Sequence, residues 1–152
     1  MSTKAMATLT SRKDTVMNPK WDGMTDDLIP QATAWRNALV DGSHHQGRDR
    51  LRLNGGEMCC LGVLCDTLDP SRWTTFQGVW RWGPDYAFPP SETMETFGLT
   101  ENGIRMDDKF WTIDGMDFSS LSFANDTYGI THAHIADALT EYFGLDPYVA
   151  AE

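Results

Sequence analysis

Residues 59–66 read Cys-Cys-Leu-Gly-Val-Leu-Cys-Asp, and this short apolar run decides the fold. Its apolar positions continue with a helical period to Leu68, and Pro70 lies just beyond, where it would halt a helix. The run therefore predicts a buried helix at the centre of one small domain. A buried strand is the alternative, because the run is short, unbroken and contains Val63.

We expect the three cysteines of this run, Cys59, Cys60 and Cys65, to pack in the core and to take no part in catalysis or metal binding. An odd number of cysteines, two of them adjacent, does not fit the disulfide framework of a small secreted domain. Apolar neighbours raise the pKa of a thiol and so disfavour the thiolate that nucleophilic catalysis needs. Zinc sites need spaced pairs of ligands, which the run does not offer. We expect no catalytic cysteine, no metal and no cofactor.

Composition and charge limit the partners. The chain has 152 residues, 41% of them hydrophobic, which suffices for one core. No apolar stretch reaches the roughly 20 residues of a membrane span, so we expect a cytoplasmic protein without membrane attachment. Because the net charge is −10, long DNA or RNA is not an expected partner. A small phosphate-bearing ligand needs only two or three local donors and stays compatible with this charge.

Residues 1–27 lack apolar periodicity and predict a flexible N-terminal tail. Residues 28–152 predict a single globular α+β domain with about four helices and short antiparallel strands or hairpins. The first helix is expected after a cap at Thr25 or Asp26, and Thr131 is expected to cap the last one. Further elements are predicted as strands over 50–53, 79–82 and 109–113, and as short helices over 91–97 and 117–123.

The sequence Gln-Gly-Arg-Asp-Arg-Leu-Arg, which begins at Gln46, is the main candidate for a ligand site. Alternation along the predicted strand places Arg48, Arg50 and Arg52 on one face, and Gly47 allows a ligand to approach the backbone. Guanidinium groups on one face give bidentate anchors for phosphate or carboxylate. The alternative is a solvated face on which these arginines pair with some of the 22 acidic residues.

Aromatic side chains further along the chain can serve the same ligand. Trp80, Trp82 and Tyr86, with Trp73 nearby, are suited to stack on a base or on an arginine. They suit a hydrophobic core equally well, and we expect at least two of the four to lie there. The candidate ligand-binding residues are therefore Gln46, Gly47, Arg48, Arg50, Arg52, Trp80, Trp82 and Tyr86.

The four histidines occur as two close pairs and do not indicate a catalytic or metal site. His44 and His45 lie in a polar connection and are expected to be solvated. His132 and His134 lie roughly 200° apart around a helix, so they cannot face one ligand. Motifs of phosphate-binding loops, dinucleotide-binding folds, zinc proteases and serine hydrolases do not occur in the sequence. We therefore expect a protein that is not an enzyme.

Five short segments together resemble one family. They are Trp35 with Ala38-Leu39, Gln46-Gly47, residues 59–66, Asn125-Asp126 and Ile135-Ala136. Over about residues 28 to 145 the chain resembles a family of small, mostly uncharacterised bacteriophage and prophage proteins that share the Cys-Cys-Leu-Gly-Val-Leu-Cys-Asp core motif. This resemblance implies an accessory phage protein in the cytoplasm of a bacterial host cell, of the kind that acts against host defence.

These observations lead to two hypotheses about function. The first is a non-enzymatic phage accessory protein, with a counter-defence role, that binds a small anionic ligand such as a signalling nucleotide through the arginine strand. The alternative is a protein-binding module, either a virion component or an inhibitor or mimic that acts on a host protein through its acidic surface. A host protein is therefore the second expected partner, and a homo-oligomer stays open.

Overall fold

The computed structural model describes residues 18–150 of the chain. Within them the α+β class predicted from the sequence is confirmed, with five α-helices and two short antiparallel hairpins. No helix in this part of the chain is long and apolar enough to cross a membrane. The helices are α1 (Ile29–Val40), α2 (Cys60–Leu68), α3 (Ser91–Thr96), α4 (Leu121–Thr127) and α5 (His132–Phe143). The strands are β1 (Thr74–Phe76), β2 (Val79–Arg81), β3 (Trp111–Ile113) and β4 (Met116–Phe118).

The apolar run forms the buried helix α2, and the alternative of a buried strand is wrong. The thiol of Cys59 caps the helix by accepting a hydrogen bond from the Gly62 amide at 3.4 Å. The first six residues of α2 are buried, and all three cysteines are free thiols. Trp35 of α1 fixes the start of α2, because its indole nitrogen donates to the Cys60 carbonyl at 3.0 Å. The run is therefore the centre of the core.

Helices α1 and α5 pack against each other, and α2 packs on α1. The predicted cap of α5 is confirmed, since the Thr131 hydroxyl accepts from the His134 amide. The predicted cap of α1 at Thr25 or Asp26 is wrong. Leu28 occupies the N-cap without a side-chain bond, and Pro30 in the first turn supplies a helical φ and has no amide to satisfy.

The two hairpins turn at residues with positive φ. Gln77 and Gly78 have φ of 53° and 78°, and Asp114 and Gly115 have φ of 52° and 78°. Positive φ at both central residues is what a two-residue hairpin turn of type I′ requires. Because the second turn sends the chain back as β4, the helix predicted over 117–123 is wrong. Helix α4 begins later, after Ser120, whose hydroxyl accepts from the Phe123 amide at 3.0 Å.

The strand predicted over 50–53 is also wrong. Arg52 forms only an isolated antiparallel bridge with Met58, on either side of a turn at residues 54–55. Asp49 has a φ of 69°, a left-handed conformation that interrupts an extended chain. Arg48 and Arg50 therefore do not lie on one face of a strand.

Residues 18–24 belong to the domain, which corrects the flexible tail predicted over 1–27; residues 1–17 lie outside the described residues. The Asn18 side chain is almost fully buried and bonds the backbone of Thr112 in β3 at 2.7 and 2.9 Å. The Trp21 ring stacks on Tyr142 of α5 with centroids 6.0 Å apart. These contacts tie the first described segment to the last helix.

Candidate functional site

Two of the predicted ligand residues, Gln46 and Gly47, contact other parts of the protein and do not offer free polar groups to a ligand. The Gln46 side chain donates to Asn125 Oδ1 at 2.9 Å and to the Ile130 carbonyl at 2.7 Å, and accepts from the His132 amide at 3.1 Å. Gly47 is buried, and a Cβ there would lie 3.1 Å from the backbone of Glu57. These two residues fasten the loop before α2 to the segment around α4 and α5.

Arg48, Arg50 and Arg52 are not brought together in the way that the sequence predicted. The exposed Arg48 side chain lies against Gly129, at the end of α4. Arg50 lies over the ring of Tyr86, 5.7 Å from its centroid. Arg52 lies 3.9 Å from the ring centroid of Trp80. Only Arg50 and Arg52 therefore meet predicted aromatic partners.

Arg52 has the closest of these ring contacts. Its guanidinium lies over Trp80 and also 5.4 Å from the ring centroid of Trp73. The two indoles meet edge to face, 6.4 Å apart, and so form a corner around the guanidinium. The Nε atom of Arg52 is buried and has no hydrogen-bond acceptor among residues 18–150. Arg52 therefore has a donor that no described residue satisfies.

Two further arginines, which the sequence did not single out, extend this arrangement. Arg72 lies 4.1 Å from the ring centroid of Trp82, and Arg81 lies 4.3 Å from that of Phe76. The β1–β2 register pairs Phe76 with Val79, so Phe76 and Arg81 share one face of the hairpin and Trp80 lies on the other. These contacts lie on both faces of the hairpin and beside it, and we call the whole set the arginine–aromatic surface: Arg50, Arg52, Arg72, Arg81, Trp73, Phe76, Trp80, Trp82 and Tyr86.

The guanidinium groups of this surface lack acidic partners. None of its four arginines has a carboxylate oxygen within 4.0 Å in the described part of the chain. This is unexpected in a chain with 22 acidic residues. The alternative of a face that pairs with the protein's own carboxylates therefore does not fit these four residues.

Partly buried hydrogen bonds anchor two of the aromatic side chains, Trp73 and Trp82. Trp73 and Trp82 lie in the core, as expected of at least two of the four rings. The Trp82 indole donates to the Asp69 carbonyl at 2.8 Å, and the Trp73 indole donates to the Asp66 carboxylate at 2.9 Å. The rings therefore hold a fixed position beneath the arginines.

Asp66 also joins this surface to a histidine. Its second carboxylate oxygen lies 2.9 Å from His44 Nε2, and His44 Nδ1 lies 2.9 Å from the Ser43 hydroxyl. His44 is only 13% exposed, so the prediction that it is solvated is wrong, whereas His45 is exposed. The sequence signal for Asp66 was its place at the end of the apolar run. Nothing in the sequence indicated that His44 would reach it.

Burial shifts the pKa values of four buried side chains, which are three cysteines and one histidine. Burial raises the pKa of Cys59 to about 12, which keeps the thiol protonated, and it raises the pKa values of Cys60 and Cys65 as well. Burial, helped by the charge of His44, lowers the pKa of His132 to about 4. Among residues 18–150 no group of three histidine, cysteine, aspartate or glutamate side chains is arranged to hold a metal ion.

Comparison with known proteins identifies the family. Residues 31–143 match the model of the Domain of unknown function (DUF8296). The chain belongs to this family. The match spans the whole arginine–aromatic surface of the DUF8296 domain, as well as α2, α3 and α4. The search of curated proteins and the search of solved structures found no match.

Proposed function

We propose that this DUF8296 protein binds a small anionic ligand, of the class of signalling nucleotides, on its arginine–aromatic surface and does not transform it. The observation that carries the proposal is the set of four ring-stacked guanidinium groups without a carboxylate partner in the described residues. A guanidinium that packs on a ring keeps its N–H donors for an anion at its edge. Phosphate oxygens are the acceptors that fit such donors best.

Arg52 is the expected anchor. Its Nε is buried without an acceptor among residues 18–150, whereas the side chain as a whole is only partly buried. The proposal therefore places the phosphate against the terminal nitrogens of the guanidinium and not against Nε. The half-exposed ring of Tyr86, beside Arg50, offers a face on which a base can stack.

Charge supports a small ligand over a polymer. The net charge of −10 repels an extended phosphate backbone, whereas one or two phosphates interact mainly with the nearest guanidinium groups. The proposed role is sequestration of a nucleotide signal by a phage accessory protein inside a bacterial host. The resemblance of the core motif to phage and prophage proteins supports this part of the proposal.

Calorimetric titration with a nucleotide panel tests the proposal. The panel contains a cyclic dinucleotide, ADP-ribose, ATP and the matching nucleosides without phosphate. We expect one phosphorylated compound to bind with a Kd below about 100 μM, and its nucleoside to bind at least about tenfold more weakly. Arg52→Gln is expected to weaken binding about tenfold or more, and Arg48→Gln, outside the surface, less than about twofold. Absence of any binding tighter than about 1 mM contradicts the proposal.

A second candidate function is protein binding, and a separate patch favours it. Phe123 and Tyr128 are 44% and 58% exposed, and their rings lie 5.5 Å apart. The Tyr128 ring also contacts the ring of Phe118 in β4. Met116, in the same strand as Phe118, is 42% exposed. Exposed apolar clusters of this kind mark protein interaction sites. Capture of a stoichiometric host protein that is lost in Phe123→Ala but kept in Arg52→Gln supports this second function.

A further inference from the structure

The domain contains two buried arginines with different surroundings. Arg105 is fully buried and pairs with Asp107. Arg105 Nε donates to Asp107 Oδ1 at 3.0 Å, and Arg105 Nη2 also donates to the Pro19 carbonyl at 2.9 Å. Arg36 of α1 is 3% exposed, but its partners are neutral. Nε donates to Asn37 Oδ1 and Nη1 donates to Thr140 Oγ1, both at 2.7 Å. Arg36 thus has no ion pair within 4.0 Å among residues 18–150.

A buried charge without a counter-ion is unusual, because desolvation is costly unless an opposite charge compensates it. Burial lowers the pKa of Arg36, while Asp137 and Asp146 raise it from a longer distance. The remaining guanidinium nitrogen, Nη2, has no acceptor within the described residues. Because Arg36 lines a cleft, Nη2 is the donor that an external anion in this cleft would meet.

Arg36 lies in the wall of a cleft of about 1380 Å³ that runs along α5, between α1 and the β3–β4 turn. Thr140 and Tyr148 line the cleft near Arg36, with the guanidinium 6.0 Å from the Tyr148 ring centroid. Asp137 and Asp114 line other parts of it. The cleft therefore presents one buried cation together with exposed carboxylates.

We propose that this cleft binds a ligand that carries both a carboxylate and a cationic group, such as the C-terminus of a lysine-containing peptide. The carboxylate supplies the counter-ion of Arg36 and accepts a charge-assisted hydrogen bond from Nη2. The ammonium group lies toward Asp137. A multiply charged phosphate fits less well, because Asp114, Asp137 and Asp146 would repel it.

This site is independent of the proposed nucleotide site. Arg36 is not part of the arginine–aromatic surface, and the residues that line the cleft, from α1, α5, the β3–β4 hairpin, Asn18 and residues 147–148, do not include any residue of that surface. A variant of one site therefore serves as the control for the other.

The probe is the tripeptide Gly-Gly-Lys, titrated into the full chain and followed by amide NMR shifts. We expect the free acid to bind with a Kd of about 1 mM or lower, and the C-terminal amide at least about tenfold more weakly. Arg36→Gln is expected to weaken binding of the free acid about tenfold, and Asp137→Asn about threefold. Arg52→Gln is expected to leave the Kd of the free acid unchanged.

The comparison of the free acid and the amide uses the unchanged protein, so it tests the proposal even if Arg36→Gln fails to fold. Equal binding of acid and amide overturns the proposal, as does absence of free-acid shifts at the cleft residues up to about 10 mM. Unchanged affinity in a folded Arg36→Gln protein overturns it as well.

Discussion

Gly62 is the residue at which the fold leaves the least room. A Cβ at this position would stand 1.9 Å from the carbonyl oxygen of Leu51, which belongs to the backbone and cannot rotate away. Helix α2 therefore crosses the loop that carries Arg50 and Arg52 at a distance that only glycine permits. The contact lies at Leu51, the residue directly before Arg52.

We expect Gly62→Ala to lower the free energy of unfolding by about 3 kcal/mol, because overpacking against backbone cannot relax. The matched control is Gly42→Ala, where φ is +82° and nothing lies within 4 Å of the added carbon. There only backbone strain applies, at about 1 kcal/mol. Urea unfolding measures both values, and an equal loss in the two variants would contradict the packing argument.

His132 gives the stability a dependence on pH. Its pKa is about 4 in the folded protein, against 6.5 as the ordinary value, because burial disfavours the charged ring. Its Nε2 has no partner within residues 18–150. Between these pH values the unfolded chain takes up a proton that the folded protein does not. The stability present above pH 6.5 is therefore lost as the pH falls toward 4.

We expect this histidine to remove about 2 kcal/mol of stability between pH 7 and pH 5. The glutamine of His132→Gln stays neutral throughout. The free energy of unfolding of this variant should therefore fall by about 2 kcal/mol less than that of the unchanged protein between pH 7 and pH 5. Parallel pH curves for the two proteins, measured by urea unfolding, would show that His132 is not the cause.

At the scale of elements, β3 has one edge paired with β4 and the other edge covered by a single side chain. The carboxamide of Asn18 accepts from the Thr112 amide at 2.7 Å and donates to the Thr112 carbonyl at 2.9 Å. It also donates to Glu141 Oε1 of α5 at 2.9 Å. One asparagine thereby links the hairpin, the first described segment and the last helix.

We expect Asn18→Ala to cost about 2–3 kcal/mol, because it leaves buried polar groups of Thr112 without partners. Hydrogen exchange at the Thr112 amide should accelerate at least about tenfold. Asp117→Ala is the control, since it removes only the exposed bond between Thr112 Oγ1 and Asp117, at 2.8 Å. An unchanged exchange rate at Thr112 in Asn18→Ala would refute this role.

Which elements could be predicted depended on whether their signal was local. Helical periodicity predicted α1, α2 and α5, whereas β4, the second strand of the hairpin that turns at 114–115, overlaps the helix predicted over 117–123. Alternation of arginines predicted a strand at 50–53, but this segment has no partner strand among the described residues, and Arg52 forms only an isolated bridge with Met58. Alternation in polar residues alone does not show that a partner strand exists.

At the scale of the whole molecule, the candidate site could be predicted in part. Five of the eight predicted ligand residues lie in the arginine–aromatic surface, while Gln46, Gly47 and Arg48 lie outside it. The rest could not be inferred, because the contact between His44 and Asp66 and the burial of Arg36 depend on tertiary packing. The general burial of the cysteines needed only their apolar neighbours.

The contribution of residues 18–24 to the whole fold is measurable by truncation. Relative to a chain that starts at Asn18, we expect one that starts at Thr25 to lose about 4 kcal/mol, because Trp21 and Asn18 no longer contact α5. Urea midpoints of the two truncated proteins compare them directly. Equal midpoints would mean that these contacts add nothing to stability.

The Trp21 amide donates to the Tyr142 carbonyl at 2.8 Å, and this contact has a consequence for synthesis of the protein. The ribosome produces Trp21 early and α5 late, so Trp21 emerges long before its partner exists. The core that α1 shares with α5 is likewise incomplete until then. We therefore expect the core between α1 and α5 to close only after the ribosome has released Phe143, with Trp21 lacking its partner until then.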